Sequence, residues 1–78
     1  MSEPTDSRVI ELVAEVLRRD KNKVTLGSRF IEDLEANSLD VVELVCLAEG
    51  EFDVRIPEPR LASLRTVGDV LQVLRESR

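Results

Sequence analysis

Apolar residues recur at helical spacing in three stretches of the chain. In the first, Val9, Ile10, Leu12, Val13, Val16 and Leu17 share one arc, while Arg8, Glu11, Glu15 and Arg18 fall opposite. This pattern predicts an amphipathic helix that starts at Asp6 or Ser7 behind a side-chain N-cap and ends near Arg19. In the second, Val41, Leu44, Val45, Ala48 and Phe52 form a single face. Asn37 is a good N-cap for that helix. Asp40, three residues on, is placed to bond back to the cap's own backbone as a capping box. Gly50 costs roughly 1 kcal/mol relative to alanine inside a helix, which predicts a loose last turn. The third stripe is Val67, Val70, Leu71 and Leu74, preceded by Thr66 as cap with Asp69 as its box partner.

The connecting stretches read differently. Residues 1–5 form a polar lead-in. Residues 20–29 read as a loop containing Gly27, from which only Val24 and Leu26 are expected to reach the core. Phe30, Ile31 and Leu34 make a small apolar cluster, about one helical turn long. The run Ile56-Pro57-Glu58-Pro59 stops the second helix, and residues 59–64 have room for one short helix with Pro59 in its first turn. There is no internal repeat, no low-complexity stretch and no strand-like alternation. The expected fold is all-α: a small bundle of three main helices plus one short helix, with a long loop after the first helix. All 78 residues are expected to form a single domain.

Composition narrows the chemistry. The chain is 42% hydrophobic and 35% charged, which suits a folded domain, but only 3% aromatic, so its core must be aliphatic. With Phe30 and Phe52 as the only aromatics, a stacking platform for single-stranded nucleic acid is not expected. Sixteen acids against eleven bases give a net charge of −5, unfavourable for phosphate backbones or anionic membranes. The sole cysteine, Cys46, leaves no internal disulfide, and the lack of histidine removes Ser-His and Cys-His pairs and the usual metal sites. No apolar run is long enough to span a membrane, and no signal peptide is evident, so the expected location is cytoplasmic.

The charge is also segregated. Glu32, Asp33, Glu35, Asp40, Glu43, Glu49, Glu51 and Asp53 lie between residues 30 and 54 with no lysine or arginine among them, a local charge of −8 that leaves +3 elsewhere. Acidic runs commonly do no more than solubilise a helix. This one contains no counter-charge for intrahelical pairing, so a docking face for basic partners explains it better. Opposite the core stripe, Leu39, Val42, Glu43 and Cys46 follow Ser38. Single exposed aliphatics are ordinary, but three together beside a serine at a helix start favour a contact surface.

Residues 30–53 read FIEDLEANSLDVVELVCLAEGEFD. The segment closely resembles the centre of the acyl carrier proteins of bacterial fatty acid synthesis, with the pattern F-x-E-D-L-G-A-D-S-L-D-x-V-E-L-V-M-A-L-E-E-E-F. Ile56-Pro57 and Leu64-Arg65-Thr66-Val67 fit the same layout. The resemblance implies that Ser38 receives 4′-phosphopantetheine from coenzyme A through a separate Mg²⁺-dependent phosphopantetheinyl transferase. The terminal thiol of that arm then carries acyl groups as thioesters, and the chain itself is a carrier rather than an enzyme, with no metal site of its own. By position, Asn37, Leu39, Asp40, Val42, Glu43, Cys46 and Glu49 correspond to partner-facing residues. The implied partners are the transferase and acyl-transferring, condensing or ligase enzymes with basic docking patches, visited by a monomer that neither binds nucleic acid nor inserts into membranes. Phe30, Leu34, Leu47, Ala48, Ile56, Ala62, Leu64 and Leu71 are candidates to line a cavity for the acyl chain. For each of these, an ordinary core role is the alternative.

The chain departs from the family pattern at several positions. Asn37 replaces the usual aspartate, removing a carboxylate beside Ser38 and implying slower modification by ordinary transferases. Glu35 replaces a glycine and restricts the loop backbone. Cys46 replaces methionine, Gly50 replaces an acid, and Leu47-Ala48 reverses the family's Ala-Leu order, which predicts a relocated or enlarged chain cavity near Ala48. These changes point to a specialised carrier. Two rival readings remain: a peptidyl or aminoacyl carrier, with the same arm and a different cargo, and an unmodified acidic helical adaptor.

Overall fold

A computed structural model describes residues 3–77. It contains α1 (Asp6–Leu17), α2 (Ser38–Phe52), a four-residue α3 (Glu58–Leu61) and α4 (Val67–Glu76), with a 3₁₀ turn at Lys21–Lys23. Three substantial helices, one short one and the long first loop agree with the sequence pattern.

α1 is capped by Thr5, whose hydroxyl accepts a hydrogen bond from the Arg8 N–H at 3.2 Å. The helix stops at Leu17, short of the expected end, because Arg18 turns left-handed at φ 56°. The N–H groups of Arg18 and Arg19 then bond the free carbonyls of Ala14 and Glu15, closing the helix end. α1 buries Val9, Leu12 and Val13 as its stripe predicts, together with Ala14.

α2 begins with the expected capping box. Asp40 N–H donates to Asn37 Oδ1 at 2.9 Å, and Asn37 N–H donates to Asp40 Oδ2 at 3.1 Å. Leu44, Val45, Ala48 and Phe52 are buried, while Val41 packs half-buried at their margin. The helix runs through Gly50 without a break, because neighbouring buried residues outweigh one glycine's propensity. It ends at Asp53, left-handed at φ 54°, before the proline segment is reached. α4 shows the second expected box, with Asp69 N–H donating to Thr66 Oγ1 at 3.1 Å and Asp69 Oδ2 accepting from Thr66 N–H at 3.1 Å.

The long loop is held down rather than free. Phe30 N–H donates to the Arg65 carbonyl at 2.9 Å, Val67 N–H to Ser28 at 3.1 Å and Gly68 N–H to Leu26 at 2.8 Å. An isolated antiparallel bridge joins Arg29 to Thr66. The close approach depends on Gly68, where an added Cβ would lie 3.0 Å from the Leu26 carbonyl oxygen. Ser28 is buried with Val24, and its hydroxyl accepts from the Thr25 N–H at 3.0 Å. The expected helical turn after Phe30 is instead a run of hydrogen-bonded turns, with Phe30 and Leu34 buried and Ile31 exposed. The core joins α1, α2 and α4 to this loop through Val9, Val13, Phe30, Leu44, Val67, Val70 and Leu74. The packing is aliphatic apart from Phe30 and Phe52, as composition demands.

Candidate functional site

Ser38 is the first residue of α2 and is exposed. The capping box consumes the Asp40 N–H, and the Val41 N–H reaches the Asn37 carbonyl at 3.2 Å. The N–H groups of Ser38 and Leu39 have no partner among the described residues. An oxyanion held near the Ser38 hydroxyl therefore meets two open backbone donors and the positive end of a 15-residue helix.

Beside Ser38 opens a groove of about 360 Å³, lined by Phe30, Ile31, Val41, Val42, Leu61, Ala62 and Leu64. Its volume is that of a small-molecule site, and its walls are almost wholly apolar. Of the residues expected to line a chain cavity, Phe30, Ala62 and Leu64 are here. Ile31, Val41, Val42 and Leu61 also form its walls and were not among them. Their clue is apolarity on either side of the Ser38 helix, and only the approach of residues 30–31 and 61–64 to the start of α2 turns it into a lining.

The other cavity candidates lie elsewhere. Leu34, Ile56 and Ala48 are packed into the core outside this groove, with Ala48 at 0% exposure. Ala48 is closed over in this structure, its small side chain packed among its core neighbours. Leu71 is buried on α4 and edges a separate surface cleft with Leu26 and Gly68. Leu47 is not a core residue: it is 48% exposed and faces α1. One position is a 100° step, so the reversed Leu-Ala order puts the small residue inside and the large one outside.

The outward face of α2 carries Leu39, 77% exposed, with Val42, Glu43 and Cys46 also exposed, as expected. Two of the expected docking acids have structural work as well. Asp40 is half-buried in the capping box, and the Glu49 carboxylate accepts from the Ile56 N–H at 2.7 Å, tying the α2–α3 connector to the helix. Exposed Asn37 is committed to the cap.

Arginines from outside the acidic stretch answer part of its charge. Arg29 binds Glu32 at 2.5 Å and Asp33 at 3.2 Å, Arg19 binds Glu35 at 3.2 Å, and Arg8 of α1 donates to both carboxylate oxygens of Glu51 of α2 from the Nε–Nη2 edge of its guanidinium. The hydrogen bond from Arg8 holds the Glu51 carboxyl below the usual glutamate range, and the one from Arg29 does the same for Asp33. Glu43 and Asp53 keep carboxylates with no partner among the described residues. Within those residues no cluster of ligating side chains suited to a metal ion is found, and no helix is long and apolar enough to cross a membrane.

An exposed hydroxyl at an open helix start, an apolar groove beside it and an acidic outer face describe a module that holds a group for other proteins to act on. Residues 7–74 match the family described as phosphopantetheine attachment site, and its members carry their cargo on a covalent phosphopantetheine arm. The chain is 48% identical over 71 residues to the acyl carrier proteins of Rickettsia canadensis and Rickettsia rickettsii, and 46% identical over the same length to that of Rickettsia typhi. Each alignment covers 91% of this chain and 83% of the relative. The chain belongs to the acyl carrier protein family, whose members carry and do not catalyse.

Proposed function

We propose that the Ser38 hydroxyl is the attachment point of the arm, and that the chain delivers acyl thioesters from it to enzymes of fatty acid, lipid or related polyketide synthesis. In loading, Ser38 Oγ forms a bond to the phosphorus at the pantetheine end of the coenzyme A pyrophosphate. The bond from that phosphorus to the bridging oxygen breaks, the nucleotide leaves, and the hydroxyl proton passes to a base. The transferase supplies base and metal, which fits a carrier with no histidine. The observation that carries the reading is the open helix start: an exposed hydroxyl beside two N–H groups with no partner among the described residues suits the phosphodiester it would become.

The groove between α2 and α3 is then the shelter for the part of the acyl chain nearest the arm. Leu39, Val42, Glu43 and Cys46 form the surface on which partners with basic patches dock, a task for which a monomer working in the cytoplasm is suited. The departures around Ser38 support a carrier tuned to particular enzymes.

Incubation with coenzyme A and a broad-range phosphopantetheinyl transferase tests the assignment. Intact mass is expected to rise by one arm in the parent and not at all in Ser38→Ala, with the helical circular dichroism of the two indistinguishable. A parent that never gains the arm is the adaptor of the rival reading. An arm on Ser38→Ala places the attachment elsewhere.

A further inference from the structure

The exposed arc of α2 has two unlike edges. Ser38 and Val42 stand at the edge facing α3. Leu47 stands about 180° round the helix from Ser38, at the edge facing α1. There it meets Val16 and Leu17 in a second groove of about 440 Å³, whose rim is Glu15, Arg18, Asp40 and Glu43. Between the two edges lie Cys46, Leu39 and Glu43, all exposed, and Gly50, where an added Cβ would touch nothing within 4 Å. Acidic and apolar residues thus share the arc, and at its α1 edge Leu47, Val16 and Leu17 form a small apolar patch bordered by charged side chains.

We propose that this α1–α2 groove is a docking subsite that sets which enzymes the carrier serves. Its occupant is an acyl-processing enzyme that seats a protruding aliphatic or aromatic side chain on Leu47, Leu17 and Val16, with a lysine or arginine beside it. The inference rests on the carrier function proposed above. Charge fixes the pose: three carboxylates on the rim attract the basic group, while Arg18 at the α1 end repels it and confines it to the Glu43 side. Leu47 is large and half-exposed in a place where core packing does not need it, and seating a partner's side chain there removes its apolar surface from water.

Charged and apolar contacts on this arc differ in how they respond to salt. Contacts through Glu43 are screened as ionic strength rises, whereas contacts through Leu47 are not. The test measures binding of the arm-bearing carrier to the condensing enzyme of the same cell, at low and at high salt. Leu47→Ala is expected to weaken binding by about five-fold at both. Leu47→Met, which keeps the volume, stays within about two-fold of the parent. Glu43→Gln weakens binding at low salt and matches the parent at high salt. Melting curves of Leu47→Ala that overlay the parent's confirm that the loss is one of docking.

Leu47→Ala binding as tightly as the parent, while Leu39→Ala loses affinity, overturns the subsite and leaves the carrier function standing. A parent that takes the arm but has no affinity for the condensing enzyme also overturns it. A parent that never takes the arm removes the function first, and the subsite with it.

Discussion

Glu35 sits at φ 56°, in a conformation where an L-residue crowds its own carbonyl and glycine does not. Its side chain bonds Arg19 at 3.2 Å, but the pair is exposed and contributes little, and Arg19 keeps a second bond to the Leu34 carbonyl. Glu35→Gly is therefore expected to stabilise the fold by up to about 1 kcal/mol, or roughly 4–8 °C in Tm. Thermal melts of the two proteins check it; an unchanged or lower Tm would show that the Arg19 contact outweighs the backbone strain. The family pattern made this position legible, since glycine is the residue expected there. The same conformation at Arg18 and Asp53 was not legible, because neither residue type signals a left-handed helix end. Leu47 escaped for another reason. It lies at the border of the core arc, where one helical step separates buried from exposed, and only the position of α1 decides between them.

At the level of elements, the helix starts were the most readable feature. Both capping boxes occur at the residues the pattern selects, since a box is made within four residues and needs nothing from the rest of the fold. The loop was less readable. Its backbone bonds run to Arg65, Val67 and Gly68, more than thirty residues away, and periodicity carries no trace of such pairing. The α2–α3 groove shares that difficulty, being made by α2, the long loop and the α3 segment, which no local pattern brings together. The cap of α2 also links stability to loading, because Asn37 both starts the helix and adjoins Ser38. Asn37→Ala is expected to cost about 1 kcal/mol through loss of the cap. Asn37→Asp keeps the cap within a few tenths of a kcal/mol and restores the carboxylate beside the serine, so the transferase is expected to load it faster. Urea unfolding and the rate of arm transfer separate these effects. Equal loading of parent and Asn37→Asp would leave the asparagine with a purely structural role.

For the molecule as a whole, the net charge of −5 coexists with ion pairs that cross between its elements. Arg8 on α1 holds Glu51 on α2, Arg75 on α4 reaches Asp6 on α1 at 3.5 Å, and Arg60 on α3 reaches Glu76 on α4 at 2.5 Å. Carboxylates with no partner among the described residues, such as Glu43, remain on the outer face, where mutual repulsion is the energetic cost of a surface available to basic partners. The Arg8–Glu51 contact gives this balance a pH signature. Because Arg8 lowers the Glu51 pKa in the folded state, the unfolded chain takes up the proton first as the solution is acidified. The stability gained from the contact is complete above the ordinary glutamate pKa of about 4.3. It is lost as pH falls through the lower folded-state value. Glu51→Gln is accordingly expected to be less stable than the parent at neutral pH, and the gap should narrow below about pH 4 and close in stronger acid. Urea midpoints measured from neutral to acidic pH provide the check. A gap that stays constant across the range would mean that the two side chains contribute through packing alone, and that the acidic face is balanced by charges other than Arg8.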